Sequence, residues 1–232
     1  DRGELRGDGG RRGRAVGEVA DRAPRLVPDE DAPAYAAEVG AGETTYTAYD
    51  RTIRDSACAW LRHQAPRHAD KPWVLFVSFV SPHFPLIAPA EFHALYPPEE
   101  TDPPFDGDAR HHHPVVAGLA GSFNYHDYFD PERVRQARAG YYGLCSFLDD
   151  NIGAVLGALD DCGLSGDTTI IYTSDHGDMI GNHGLWAKSH MFEDSVGVPM
   201  MVSGPGVAAG ETVDAPVSLV DIYPTVVEAA GV

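Results

Sequence analysis

Apolar residues are arranged in two ways along the chain, at helical spacing in long segments and in short uninterrupted runs between them. Residues 46–65 (YTAYDRTIRDSACAWLRHQA) show helical spacing, with an apolar face made of Tyr46, Tyr49, Ile53, Ala57, Trp60 and Leu61. A longer helix is predicted from Pro131, with Asp130 as a candidate N-cap, up to Gly163, which would stop it. A final helix is predicted around 221–231 (DIYPTVVEAAG).

The short runs have the length of β-strands, and they are 73–80 (WVLFVSFV), 168–174 (TTIIYTS) and 198–204 (VPMMVSG). The first run is continuously apolar, as expected for a central parallel strand that is covered on both faces. Strands and helices alternate along the chain. The sequence therefore predicts an α/β fold, with a mostly parallel central sheet flanked by helices on both faces.

Two segments show neither arrangement. Residues 1–45 are rich in Gly, Arg, Asp and Ala, and we predict irregular structure there, the remnant of an N-terminal part that this chain lacks. Residues 97–130 are rich in Pro, Asp and His, and we predict a long surface insertion without a core element. Residues 46–232 then form the predicted domain, which is a partial one.

The formal net charge of −18 argues against a nucleic-acid partner, because binding to a phosphate backbone depends on Lys and Arg. An anionic substrate would need a local positive centre, and the chain has only two lysines, Lys71 and Lys188. No run of about twenty apolar residues predicts a membrane span, and the compartment stays undecided. The cysteines lack C-x-x-C spacing and are interpreted as ordinary thiols: Cys58, Cys145 and Cys162.

Asp175 and His176 come directly after the predicted strand 168–174, in the stretch TSDHGDMIGNHGLWAKSH. Open α/β sheets place ligands at the C-terminal ends of their strands, so the position favours function. A carboxylate and an imidazole there can converge on calcium, magnesium or manganese. The alternative is that Asp175 caps the next turn and His176 is an ordinary polar residue.

Two further residues extend this candidate site. Lys188 follows Asp175 by thirteen positions in a Gly-rich stretch that Trp186 could anchor, and an ammonium group can stabilise a tetrahedral anion. The alternative for Lys188 is a solvated charge or an ion pair with Glu193 or Asp194. His83, in SPHFP, follows the predicted strand 73–80 and could donate to an ester oxygen or act as a general acid. Its alternative is a simple cap on that strand.

Four segments, in this order, resemble the sulfatase branch of the alkaline phosphatase superfamily, in particular its choline-sulfatase-like and phosphonate-monoester-hydrolase-like members. They are FVSFVSPHFP, AGYYGLCSFLDDNIG, TIIYTSDHGDMIGNHGLWAKSHMFEDSVGVPMMVSGPGV and LVDIYPTVVEAAGV. The resemblance implies an alkaline phosphatase-like fold and hydrolysis of small-molecule sulfate esters.

The resemblance also implies roles for the four site residues. Asp175 and His176 would bind one divalent cation, calcium first and manganese or magnesium as alternatives. Lys188 would touch the sulfate or its ester oxygen, and His83 would contact the sulfuryl group. A histidine after the metal-binding aspartate resembles members that hydrolyse phosphonate or phosphate esters. Asn182 stands where an acidic residue is commoner in such sequences.

The family activates its nucleophile from a Cys or Ser in a C/S-x-P/A-x-R motif, which is oxidised to formylglycine, and it has paired aspartates near that motif. Neither feature occurs in the 232 residues. Cys58 and Arg62 have the right spacing, but Trp60 stands between them and the segment is a predicted helix. We therefore expect an internal piece of a longer sulfatase that also lacks the smaller C-terminal domain and is inactive alone.

Two other functions stay open at this point. One is a phosphonate monoester or phosphodiester hydrolase on the same fold, because tetrahedral anions have similar shapes. The other is a non-catalytic module that binds an anion or a metal. The leaving group and the oligomeric state are not decided by the sequence, although sheet edges left without partners would promote association.

Overall fold

The computed structural model describes residues 32–105, 113–123 and 127–231. In chain order the α-helices of these ranges are α1 (Ala32–Ala37), α2 (Thr45–His63), α3 (Ala90–His93), α4 (Pro114–Phe123), α5 (Pro131–Asp161), α6 (Glu193–Val196) and α7 (Ile222–Ala229). The strands are β1 (Val39–Ala41), β2 (Leu86–Ala88), β3 (Ile170–Thr173) and β4 (Met200–Ser203). The helices predicted from apolar spacing are present as α2, α5 and α7. Within these ranges, no helix has the length and apolar character that a membrane span needs.

The long helix α5 lies directly against β2, and two glycines allow this close approach. A Cβ at Gly140 would collide with the carbonyl oxygen of Leu86, and one at Gly143 would lie 2.8 Å from the Cβ of Ala88. β2 pairs in parallel with β1. The apolar cluster around this contact consists of Ala36, Leu86, Ala88, Phe129, Ala137, Leu144, Phe147 and Trp186.

Helix α2 packs against the C-terminal half of α5 through a second apolar cluster of Cys58, Leu61, Ala158 and Leu159. Both helices begin at a side-chain cap. The hydroxyl of Thr44 accepts a hydrogen bond from the Thr47 amide (3.1 Å), and Asp130 Oδ1 accepts one from the Arg133 amide (2.8 Å). The predicted N-cap at Asp130 is confirmed.

The buried face of α2 matches the predicted one at Ala57 and Leu61 but differs in its first two turns. Tyr46 and Tyr49, which we assigned to the apolar face, are 40% and 50% exposed, whereas Thr47 and Asp50 are fully buried. A tertiary contact accounts for the burial of Asp50, because its carboxylate accepts two backbone N–H groups from the segment after residue 79.

The predicted strand 73–80 makes no strand pairing within the described part of the chain. Trp73 and Leu75 pack against the cluster between α2 and α5, whereas Val74 and Phe76 are 61% and 88% exposed. The expectation that both faces are covered is therefore wrong for the described residues, since no described element lies on the outer face. Burial alternates from residue 73 to residue 79 as it does along a strand with one covered face.

The other two predicted strands form, with shorter bounds, and pair with each other. β3 and β4 are antiparallel, from Ile170 opposite Ser203 to Thr173 opposite Met200. The described pairings are thus one parallel pair and one antiparallel pair. β3 ends immediately before the stretch that carries the candidate metal ligands.

Parts of the two segments predicted to be irregular form regular elements. Residues 32–41 contain α1 and β1 because Tyr35 stacks on Phe84 (ring centroids 4.1 Å apart) and Ala36 enters the core. Helix α4 forms inside the predicted insertion 97–130. Residues 1–31 and the parts of the insertion at 106–112 and 124–126 lie outside the described residues. The contacts of Tyr35 and Ala36 join residues far apart in sequence, so apolar spacing does not reveal them.

Candidate functional site

Asp175 and His176 lie just past the end of β3, as predicted, and their side chains converge. Asp175 Oδ2 is 3.6 Å from His176 Nε2. His176 Nδ1 lies 2.8 Å from the carbonyl oxygen of Gly177, which can only accept a hydrogen bond, so Nδ1 carries the proton. In the neutral imidazole, the lone pair of Nε2 then faces a carboxylate oxygen. A cation or a second ring proton stabilises that arrangement, and an imidazole held by a backbone carbonyl is typical of metal ligands.

Gly177 allows this turn to approach the following loop closely. Its amide donates to the carbonyl oxygen of Ser195 (2.9 Å), and a Cβ at this position would collide with the carbonyl oxygen of Asp194. The glycine after the two candidate ligands is therefore required by packing. It fixes the turn against α6.

His83 and Lys188, 105 positions apart in sequence, are in direct contact. Lys188 Nζ lies 2.7 Å from His83 Nε2. His83 Nδ1 lies 2.7 Å from the carbonyl oxygen of Phe84, which assigns the ring proton to Nδ1 and leaves Nε2 to accept from the ammonium group. The ion pair considered as an alternative for Lys188 is not found, because among the described residues it pairs with neither Glu193 nor Asp194.

Asp178 connects the two halves of the site. Burial raises the pKa of this carboxyl group, and hydrogen bonds from the amides of Ile180 and Ala187 act in the opposite direction, as do the nearby Lys188 and His176. Asp178 is thus within electrostatic range of a residue from each half. We gave it no role from the sequence, although it lies in the same stretch as the ligands.

A buried arginine holds the loop between Asp178 and Lys188. Arg138, on α5, is 5% exposed, and its two terminal nitrogens donate to the carbonyl oxygen of Ile180 and to the hydroxyl of Tyr142, both at 2.8 Å. Ile180 has φ +38°, which is unfavourable for a β-branched residue. The arginine therefore stabilises a strained point of the loop.

Three more residues anchor the same loop. Asn182 accepts from the Phe105 amide (2.8 Å) and donates to Asp194 (2.9 Å), so it fills a structural role where related sequences more often have an acid. His183 stacks on Phe192 with ring centroids 4.2 Å apart. The prediction that Trp186 anchors the loop is confirmed, because it is 2% exposed and stacks on Phe129 at 4.0 Å.

Several other polar or thiol side chains are buried or lie elsewhere. His183 and His190, in the same loop, are both buried. Cys58 is buried between α2 and α5, which supports its rejection as a nucleophile, and Cys58, Cys145 and Cys162 are all free thiols. His111 and His112, in the predicted insertion, lie outside the described residues.

A complete metal centre is not found in the described ranges, where no three His, Cys, Asp or Glu side chains are arranged to hold an ion. Asp175 and His176 fit a divalent cation by donor chemistry and convergence, but hard cations take six or more ligands. The remaining ligands must come from groups beyond these two side chains.

Sequence comparison gives relatives with a common description. A protein-family model described as Sulfatase matches residues 20–232. The choline-sulfatase of Rhizobium meliloti (strain 1021) is 37% identical over 168 residues, which are 70% of this chain and 32% of that protein. The arylsulfatase K of Danio rerio is 35% identical over 201 residues, 79% of this chain and 37% of that protein. The chain thus spans about a third of the length of these curated relatives.

Solved structures with the same fold are also found. The phosphonate monoester hydrolase of Agrobacterium radiobacter superimposes with a TM-score of 0.71 at 29% identity, over 93% of this chain and 45% of that one. The phosphonate monoester hydrolase SpPMH from Silicibacter pomeroyi gives a TM-score of 0.66 at 26% identity, over 89% and 42%. The predicted α/β fold of the alkaline phosphatase type is confirmed, as an incomplete one.

Proposed function

This chain belongs to the sulfatase family, and from that premise we propose that it supplies the cation-binding and anion-binding residues of an enzyme that hydrolyses small-molecule sulfate esters. The observation that carries the proposal is the 2.7 Å contact between His83 and Lys188. It brings together two residues from distant segments, each chosen from the sequence for the same substrate group.

In this proposal each residue has a defined task. Asp175 and His176 would hold one divalent cation. Calcium, manganese and magnesium are the candidates, because all three accept oxygen and nitrogen ligands. When bound, such a cation polarises the sulfuryl oxygens and stabilises negative charge on them. Lys188 donates N–H groups to the same anion, in a chain whose formal net charge is −18.

The His83–Lys188 contact is a hydrogen bond between Nζ and Nε2. Because Nε2 accepts in this contact, the ammonium group is the proton donor of the pair as it stands. Transfer of that proton to His83 would give an imidazolium N–H, which could protonate the leaving ester oxygen. The nucleophile we expect is a formylglycine, and the 232 residues contain no C/S-x-P/A-x-R motif that would provide it.

Ion binding tests the proposal on the chain itself. Titration calorimetry with calcium, manganese and magnesium chlorides should show binding that Asp175→Asn and His176→Ala each weaken at least about tenfold. Asp161→Asn and His63→Ala are matched controls, since both residues are exposed and lie on other elements. Equal binding by all five proteins would contradict the metal assignment.

Anion binding gives a second test, with an unusually simple control. Inorganic sulfate should shift the NMR signals of His83 and Lys188, and Lys188→Met should weaken sulfate binding about tenfold, since a charge-assisted contact is lost. Lys71→Met removes the other, exposed lysine and should leave the affinity unchanged. An equal loss of sulfate affinity in both variants would show that net charge, and not the contact of Lys188, causes the change.

Activity is measured on the protein encoded by the reading frame that contains these 232 codons, with the 232-residue chain assayed in parallel. We expect hydrolysis of 4-nitrophenyl sulfate by the encoded protein, if its sequence includes the nucleophile motif, and none by the chain alone. Turnover by the chain alone would overturn the expectation that the nucleophile lies outside it. Metal binding by an encoded protein that has no nucleophile motif and no turnover would favour the non-catalytic binding module.

A phosphonate monoester or phosphodiester substrate is the second candidate. Two observations favour it. One is His176 in the ligand pair, and the other is that the two solved structures described above are named as phosphonate monoester hydrolases. The ratio of kcat/KM for aryl sulfate to that for a phenyl phosphonate ester decides between the two. A ratio above one supports the sulfatase, and a ratio below one supports this alternative.

A further inference from the structure

A buried carboxylate holds the backbone that leads to His83. Asp50, in the middle of α2, is 0% exposed. Its Oδ1 accepts the amide of Val80 (2.8 Å), and its Oδ2 accepts the amide of Ser81 (2.9 Å). A carboxylate removed from water is unfavourable unless hydrogen bonds or opposite charges satisfy it. Within the described residues no cation pairs with Asp50, so these two amides are its partners.

The two amides lie at the start of a tight turn that ends at His83. The amide of His83 donates to the carbonyl oxygen of Val80 (3.0 Å), which closes the turn. Beyond it, the amide of Leu86 donates to the carbonyl oxygen of Glu38 (3.0 Å), where β2 joins β1. His83 is therefore held between one fixed point on α2 and another on β1.

Helix α2 also contacts the imidazole ring. Tyr46 lies four residues before Asp50, so both side chains are on the same face of the helix. The Tyr46 ring meets the His83 ring edge-on, with centroids 6.1 Å apart and an interplanar angle of 78°. One helix face thus supports both the backbone of the turn and the ring that the turn carries.

We propose that Asp50 is a positioning residue, whose carboxylate fixes the 80–83 turn and thereby places His83 Nε2 against Lys188 Nζ. It acts through His83 and does not touch the substrate. Its relevance to catalysis rests on the function proposed above. Its effect on His83 does not, because the His83–Lys188 contact exists in the chain without substrate.

The 15N signal of His83 Nε2 reports this placement directly, because Nε2 accepts a hydrogen bond from Lys188, whereas the Phe84 carbonyl oxygen holds the proton on Nδ1 with or without that contact. In the unsubstituted chain, labelled with 15N at histidine, we expect the signal of an Nε2 that accepts a hydrogen bond. Lys188→Met provides the reference spectrum for a lost contact. Asp50→Asn should give a folded protein whose His83 spectrum resembles that reference, because one backbone N–H then faces the N–H₂ of the carboxamide and the turn must shift.

The matched control is Asp55→Asn, which alters an exposed carboxylate on the same helix that pairs with Arg54 (2.9 Å). It should leave the His83 Nε2 signal unchanged. If Asp50→Asn unfolds the chain, Asp50→Glu keeps both acceptor oxygens and adds one methylene, so the turn is displaced by up to about 1.5 Å. The contact should be lost in that variant too.

Inorganic sulfate separates this inference from the proposed function. We expect Asp50→Asn to bind sulfate about tenfold more weakly than the unsubstituted chain. If the unsubstituted chain binds no sulfate, the proposed function fails and the result for the Nε2 signal still stands. If a folded Asp50→Asn or Asp50→Glu keeps the native His83 Nε2 signal, the positioning role is rejected. If neither variant folds, Asp50 serves stability alone and the inference is likewise rejected.

Discussion

The two segments that meet at the His83–Lys188 contact are held in different ways. The turn that carries His83 is short, and a single buried carboxylate fixes its start. The loop from Asp175 to His190 is longer and is fixed at many points, by Arg138, by Asn182 and by two aromatic stacks. A turn whose start rests on one buried carboxylate should respond sharply to one substitution, whereas distributed support should give graded losses of stability.

The loop also needs its many supports for a conformational reason. Four residues other than glycine have positive φ there, and they are Ile180 (+38°), His183 (+57°), Ala187 (+58°) and Ser189 (+82°). Each such residue is unfavourable by about 1 kcal/mol relative to an ordinary conformation. Strained residues of this kind cluster where function fixes the backbone, as expected between the candidate metal ligands and the lysine.

The largest expected effect in this comparison is that of Trp186→Ala. Removal of this buried ring should lower the free energy of unfolding by about 3–5 kcal/mol, because its stack on Phe129 and its core contacts are lost. Urea denaturation measures the change. Phe76→Ala is the control, since that ring is 88% exposed and should change stability by less than about 0.5 kcal/mol.

The proposed difference between the turn and the loop is refuted if Trp186→Ala leaves a folded molecule in which His83 no longer contacts Lys188. The loop would then depend on a single anchor. The 15N signal of His83 Nε2 decides this, measured at a urea concentration where the variant is still folded.

A smaller loss is expected for Arg138→Met. The carbonyl oxygen of Ile180 and the hydroxyl of Tyr142 lose their buried donors, which should lower stability by about 2–3 kcal/mol. Arg135→Met, on an exposed position of the same helix, should be nearly neutral. Comparable losses in the two variants would show that helix propensity or net charge, and not the contact with the loop, accounts for the change.

A gain in stability is expected for Ala187→Gly, because glycine adopts φ +58° without strain. The gain should be about 1 kcal/mol or slightly less. Ala154→Gly, on an exposed position of α5, should instead lose about 1 kcal/mol, since glycine disfavours helix. Opposite signs in thermal or urea unfolding confirm the strain, and a loss in both variants would refute it.

The smallest effect is a pH dependence that two buried histidines should produce. Burial lowers the pKa of His93, on α3, and of His190, on the Lys188 loop, below the ordinary value of 6.5. A histidine with a lowered folded pKa takes up its proton more readily when unfolded, so stability falls as pH falls from about 6.5 through the folded pKa.

Urea midpoints between pH 8 and pH 5 measure this decline, which His93→Gln and His190→Gln should each reduce. His63→Gln, at an exposed position, serves as the control. A decline that neither buried-histidine variant reduces would assign the pH dependence to other groups.

Much of this architecture follows from local sequence. Helices α2, α5 and α7 follow from the spacing of apolar residues, because an amphipathic helix buries one stripe wherever it packs. The positions of Asp175, His176 and His83 after apolar runs also follow, since strand length and turn residues are local properties. Lys188 was likewise identified from the sequence, because it is the only lysine after Lys71.

Other features depend on contacts between distant residues. The apolar spacing of α2 misassigns its buried face, because a carboxylate at position 50 is buried only where amides 80 and 81 reach it. β1 is absent from the prediction because three residues acquire strand structure only by pairing with β2. The uncovered face of Val74 and Phe76 likewise reflects which elements lie opposite, and the sequence of the strand does not contain that information.

The sequence by itself thus determined the α/β class, the long helices and the four candidate site residues. Only the tertiary structure decided that His83 touches Lys188, that Asp50 and Arg138 support the two segments, and that Asp178 lies between the halves of the site. The physical reason is that side-chain type and spacing set local conformation and burial tendency. Hydrogen bonds between buried groups depend on distances that the packed fold alone defines.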